Sequence, residues 1–105
     1  MSSTWEKAAD VSELPAGKMK SFMLGGEEVL LANIGGTFYA IRNRCTHMGG
    51  PLSRGVLNGH VVTCPLHGSK FDVETGKVMG PPATLPERTF EVKVQDTSVM
   101  VRKPA

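Results

Sequence analysis

The sequence predicts an all-β domain of short antiparallel strands, and two observations carry that prediction. Pairs of turn residues divide the chain at short intervals, and no segment shows helical periodicity beyond a single turn. Gly and Pro supply 19 of the 105 residues, without collagen-like periodicity or a low-complexity run, which suits a turn-rich β domain.

Near the start, Asp10 and Glu13 resemble a capping box, but Pro15 stops anything longer than one helical turn. Gly25-Gly26 separates a strand over Met19–Leu24 from one over Glu27–Ile34, and Gly35-Gly36 separates the latter from Thr37–Arg42. In that third run Phe38 and Ala40 share one face, and Tyr39 and Ile41 share the other. Asn58-Gly59 suits the positive φ angles of a type I′ hairpin, which places His60 on the strand that follows. Glu74-Thr75-Gly76 links 71–73 to 77–79, and Gln95-Asp96-Thr97 joins 89–94 to Ser98–Arg102 as a closing hairpin. Segments 43–51 and 65–69 lack strand alternation and hold most of the reactive side chains.

A chain of 11.3 kDa is one domain, 1–105, too small for separate cofactor and substrate lobes. Its net charge of +2 is too low for a module driven by phosphate neutralisation, so no nucleic-acid partner is expected. The first twenty residues lack the apolar core of a signal peptide, and no stretch reaches the roughly 20 apolar residues of a membrane span. A soluble, cytoplasmic protein without membrane contact is the expectation. Nucleophile-elbow and Gly-rich phosphate-loop patterns are absent from the sequence.

Both cysteines sit beside a histidine, in Cys45-Thr46-His47 and Cys64-Pro65-Leu66-His67. Four of the five Cys and His residues thus fall into two short boxes, and thiolate and neutral imidazole are metal ligands. The alternative is two buried thiols and two ordinary surface histidines. A Cys₂His₂ set can hold one zinc ion or a two-iron cluster. Zinc fingers usually take a Cys pair from one element and a His pair from another, whereas here each box offers one of each. That division lets the two Cys converge on one iron and the two His on the other.

These boxes, extended as Cys64-Pro65-Leu66-His67-Gly68-Ser69, resemble the two ligand boxes of Rieske proteins, and the hairpins around them resemble a small Rieske-type ferredoxin over nearly the whole chain. The resemblance implies three stacked antiparallel sheets with two ligand loops at one tip, and a cluster-binding part over about 43–83. It implies one [2Fe-2S] cluster, with Cys45 and Cys64 on the buried iron and His47 and His67 on the outer iron. Rieske proteins of respiratory and photosynthetic complexes add a disulfide between the loops, at positions where this chain has Gly50 and Leu66. Its absence points to soluble carriers such as the ferredoxin components of ring-hydroxylating oxygenases.

By the same resemblance Ser69 supplies a hydroxyl that raises the reduction potential, while Phe71 stands where high-potential relatives have a donating Tyr. A potential in the lower part of the roughly −150 to +300 mV Rieske span is expected. Gly80-Pro81-Pro82-Ala83 resembles the proline loop that covers the cluster, with Pro81 against it. Between Arg42 and Phe71 lie Arg42, Arg44, Arg54 and Lys70 and no acid, so a positive tip that steers acidic partners is expected. Met48 to Leu52 would add apolar atoms beside His47.

The expected function is therefore single-electron transfer from a flavin-dependent reductase to a terminal oxygenase, with no turnover of its own. The rival expectations are a small subunit of an NAD(P)H nitrite reductase or similar oxidoreductase, and a zinc-stabilised interaction domain.

Overall fold

The computed structural model describes residues 4–46, 49–66 and 68–103. Among these residues ten strands form: β1 Glu6–Asp10, β2 Met19–Leu24, β3 Glu27–Ile34, β4 Thr37–Arg42, β5 Val56–Asn58, β6 Val61–Thr63, β7 Lys70–Asp72, β8 Val78–Gly80, β9 Thr89–Gln95 and β10 Ser98–Arg102. Among the described residues the only helical elements are the 3₁₀ turns Val11–Glu13 and Leu52–Arg54. None is long and apolar enough to cross a membrane.

All strand pairings are antiparallel, in a six-stranded sheet β1-β10-β9-β4-β3-β2 and a four-stranded sheet β5-β6-β7-β8. The larger sheet is continuous at its middle through only two residue pairs, Ala40↔Phe90 and Ile41↔Thr89. Its halves face each other across one apolar cluster, which joins Val99, Val101 and Phe90 of the outer half to Val29, Leu31, Phe38 and Ala40. A second cluster lies on the far side of β3 and β4 and joins Leu30, Ala32 and Ile41 to Leu52, Val62, Phe71, Val73 and both cysteines. The expected three stacked layers are present, the first two joined through the β9–β4 pairing.

β2, β3 and β4 are therefore the middle layer. In β3 the run from Val29 to Ala32 is fully buried, and alternate residues enter opposite clusters. This explains why β3 shows no apolar-polar alternation: both its faces are covered. β4 keeps the expected division, with Phe38 and Ala40 in the first cluster and Ile41 and Tyr39 on the second.

One strand lies where the sequence gives no signal, and one local expectation is corrected. β1 has no sequence signal, since only Ala9 of Glu6–Asp10 is buried; it exists because its backbone pairs with β10. The β5–β6 hairpin turns on Gly59-His60 rather than Asn58-Gly59, because Asn58 pairs with Val61. His60 is thus a turn residue, and its Nδ1 lies 3.2 Å from Asp72 Oδ2. The Asp10–Glu13 box forms as expected, with Asp10 N–H donating to Glu13 Oε1 at 2.7 Å.

Leu31→Ala should lower the unfolding free energy by about 2–5 kcal/mol, the range for truncating a buried leucine. Met23→Ala, 59% exposed in the same layer, should stay within about 0.5 kcal/mol of the parent. Urea denaturation of the two variants checks the assignment, and equal costs would refute it.

Candidate metal centre

The two cysteine boxes fold into copies of one turn. Loop 45–50 is closed by the Arg44↔Pro51 bridge, and loop 64–69 by the Thr63↔Lys70 pair of β6 and β7. In the first, Cys45 N–H donates to Gly50 O at 2.8 Å and Gly49 N–H donates to Cys45 O at 2.7 Å. In the second, Cys64 N–H donates to Ser69 O at 2.7 Å and Gly68 N–H donates to Cys64 O at 3.2 Å. The fifth residue of each loop is a glycine in the left-handed region, Gly49 at φ 75° and Gly68 at φ 79°, a conformation that L side chains resist.

Cys45 and Cys64 are buried at the rim of the second apolar cluster, and neither is in a disulfide. The loops touch at Gly50: a Cβ there would lie 2.9 Å from Cys64 Sγ and 2.9 Å from Leu66 Cδ1. The two positions where complex-bound Rieske proteins carry cysteines are thus neighbours here, in an apolar contact. His47, Met48 and His67 lie outside the described residues.

Sequence reasoning passed over two polar residues that hold this region. Asn43 is buried just before the first loop; its N–H donates to Glu28 O at 3.0 Å and its Oδ1 accepts from Ser53 N–H at 2.7 Å. Glu87, 4% exposed, accepts from Thr46 N–H through Oε2 at 3.0 Å, while its Oε1 has no partner among the described residues. Burial pushes the Glu87 carboxyl up to about 7, against the opposing pull of the Thr46 N–H and the Arg42 charge. No local pattern signals this residue, because it reaches the first loop from a segment remote in sequence.

That segment is the 81–88 connector between β8 and β9. Ala83 N–H donates to Ser69 Oγ at 3.1 Å, and Thr46 Oγ1 donates to Leu85 O at 2.7 Å. Pro81 and Pro82 are exposed beside buried Ala83, and Phe71 is fully buried with no polar atom to offer.

Arg44, Arg54 and Lys70 are exposed, and none forms an ion pair among the described residues. Arg44 and Lys70 flank the first and second loop respectively, and the Arg44 guanidinium approaches Gly49. Arg42, by contrast, lies 3.7 Å from Glu27, which also binds Arg88 at 3.1 Å. Leu66 and Leu85 add apolar surface here, at 54% and 62% exposure. His60 belongs elsewhere, because its turn caps the end of β6 opposite loop 64–69.

Comparison with known proteins adds a family. The model of the Rieske [2Fe-2S] domain matches residues 4–101. The ferredoxin component of a biphenyl 2,3-dioxygenase from Rhodococcus jostii is 42% identical over 95 residues, covering 90% of this chain and 89% of that protein. The ferredoxin component of naphthalene 1,2-dioxygenase/salicylate 5-hydroxylase systems from a Ralstonia species is 36% identical over 97% of this chain and 98% of its own length. The solved ferredoxin of carbazole 1,9a-dioxygenase from Nocardioides aromaticivorans superposes with a TM-score of 0.93 at 34% identity, over 96% of this chain and 99% of that one. A chain solved in a complex of reduced oxygenase and oxidised ferredoxin of carbazole 1,9a-dioxygenase gives 0.88 at 36% identity, over 92% and 91%.

The buried carboxyl makes a pH prediction. Between its ordinary value of 4.5 and about 7, folded Glu87 keeps a proton that the unfolded chain has released, so raising the pH through this window removes stability. Relative to Glu87→Gln, which cannot ionise, the parent should lose up to about 3 kcal/mol between pH 4.5 and 7.5. Urea midpoints of both proteins across that range test this; parallel pH profiles would sink it.

Proposed function

The chain belongs to the Rieske [2Fe-2S] domain family, and from that premise we propose that Cys45, His47, Cys64 and His67 hold its cluster, with electrons arriving from a flavin-dependent reductase and leaving to a terminal oxygenase. The protein is an electron carrier with one Rieske-type cluster, not a catalyst in its own right. The observation that carries the ligand assignment is the pair of matching turns, each presenting a buried cysteine at the same place in its frame and joined through Gly50 on Cys64 Sγ. The donor set fits the group: two thiols in a dry setting and two imidazoles are the mixed ligation of this cluster type.

When bound, the cluster stores and releases one electron at a time. The chain's residues set the conditions for that. Apolar side chains of the second cluster keep water from the cysteine side, and Gly50 lets the first loop lie on Cys64 without a side chain between them. Ser69 Oγ accepts from Ala83 N–H, which leaves its own hydroxyl proton to donate towards a reduced, more negative centre. Phe71 adds no second donor.

Exposed Arg44, Arg54 and Lys70, together with exposed Leu66 and Leu85, support a docking face for acidic partners with apolar spots. Such a face suits brief contacts, in which charge speeds encounter and a small apolar area permits release. The oxygenase assignment draws on the ferredoxin component names of the relatives and on the solved oxygenase–ferredoxin complex. A cytoplasmic setting, where reductase and oxygenase components are soluble, completes the reading.

Spectroelectrochemical titration of the purified protein tests the assignment. A one-electron wave in the low Rieske range, falling with pH in alkaline solution, is expected; a colourless, iron-free protein would refute it. Ser69→Ala should lower the potential by roughly 40 mV, the one-electron equivalent of a hydrogen bond of about 1 kcal/mol. An unchanged potential would confine Ser69 to supporting Ala83. For docking, Lys70→Glu should slow reduction of a partner oxygenase several-fold at low salt, and the difference should vanish near 0.5 M salt, where screening acts within roughly 4 Å. A rate insensitive to both would place the contact elsewhere.

A further inference from the structure

Glu87 is an expensive residue where it stands. Its side chain is buried, one carboxyl oxygen lacks a partner among the described residues, and an apolar side chain would avoid that desolvation. What the carboxyl does hold is the backbone of Thr46, the residue between Cys45 and His47. The same threonine is held a second time, by its own hydroxyl on Leu85 O. Both bonds come from the 81–88 connector, which also reaches the other cysteine loop through Ala83 N–H on Ser69 Oγ. The connector is itself fixed to the body, since Glu87 N–H donates to Gly76 O at 2.7 Å and Arg88 O accepts from Arg42 N–H at 2.9 Å.

We propose that the connector is a noncovalent clamp across the two cluster-binding loops, in which Glu87 is the positioning residue for the first loop and acts through Thr46. The proposal rests on the ligand assignment made above. Among the described residues the loops meet where Gly50 lies on Cys64 Sγ and Leu66 Cδ1, a packing contact that fixes no direction for the Thr46 peptide. Two hydrogen bonds to consecutive groups of Thr46 do set it, because an N–H and a side-chain hydroxyl on one residue cannot both keep their acceptors if the peptide rotates. Glu87 acts at one remove, through the Thr46 N–H.

The test uses the cluster-loaded protein and three variants, read by the rate of iron release to a chelator, the electron paramagnetic resonance spectrum of the reduced protein, and the melting temperature. Glu87→Leu fills the space but removes the acceptor, and should release iron about tenfold faster with a shifted or broadened spectrum, while the melting temperature stays near that of the parent. Glu87→Gln keeps an acceptor oxygen and should release within about twofold of the parent. Thr46→Val loses only the Leu85 bond and should release about fivefold faster.

Parental release and spectrum in both Glu87→Leu and Thr46→Val would overturn the clamp. So would equal acceleration in Glu87→Leu and Glu87→Gln, or acceleration that merely follows a lowered melting temperature. If Glu87→Leu does not fold, Thr46→Val decides alone: faster release at unchanged melting temperature supports the clamp, and the parental rate overturns it. A parent protein without the Rieske resonance would instead remove the ligand assignment, and the clamp with it.

Discussion

The constraint on which this structure depends is that β3, the central strand of its middle layer, is buried on both faces. Leu30 and Leu31 are adjacent in sequence, are both inaccessible, and serve different clusters. A slip of one residue in β3 would exchange their faces, so the register must be held from outside the strand. Two glycine turns hold it, with Leu24↔Glu27 on one side and Ile34↔Thr37 on the other. One face then closes on the outer half of the large sheet and makes a stable body. The other becomes the floor on which both cysteines stand. The proposed metal-binding region is thus built on a surface whose geometry is already fixed by an unrelated core.

Above that floor the attachments are polar. The buried polar residues Asn43, Ser69 and Glu87 each bond to a partner at least ten positions away in sequence. Asn33 does similar work at the other end of β3, where its Nδ2 donates to Leu14 O at 2.7 Å and holds the start of the chain. Apolar contact gives these loops their base, and hydrogen bonds give them direction. The division is physically reasonable, because burial is insensitive to angle whereas a hydrogen bond weakens steeply when bent.

The parts of this molecule that were legible in its sequence are those written in local code. Gly25-Gly26, Gly35-Gly36 and the Gln95–Thr97 stretch announced their hairpins, and two Cys-His boxes, in a chain with one other His, marked the loops to which the ligand proposal attaches. β1 was illegible, since its pairing with β10 needs no particular side chains. The position of His60 was misread by one residue, because Asn58-Gly59 and Gly59-His60 are both acceptable two-residue turns and the strand pairing chooses between them. Glu87 and Asn43 looked like ordinary polar loop residues. Their burial follows from which segments the fold stacks together, and that information is spread across the whole chain. The equivalence of the two loops was present in the sequence as an identical Cys-to-Gly spacing, obscured by the unequal Cys-to-His spacing beside it.

That equivalence makes each loop a cassette. In both copies the frame is closed by main-chain bonds of the first and fifth places, a cysteine and a left-handed glycine, together with the strands that flank them. Histidine occupies the third place in one copy and the fourth in the other. The same closing bonds, made by main-chain groups of the first, fifth and sixth places, thus accompany two different histidine spacings. For anyone building metal centres, this chain offers a six-residue hairpin insert in which one closing pattern carries two histidine spacings.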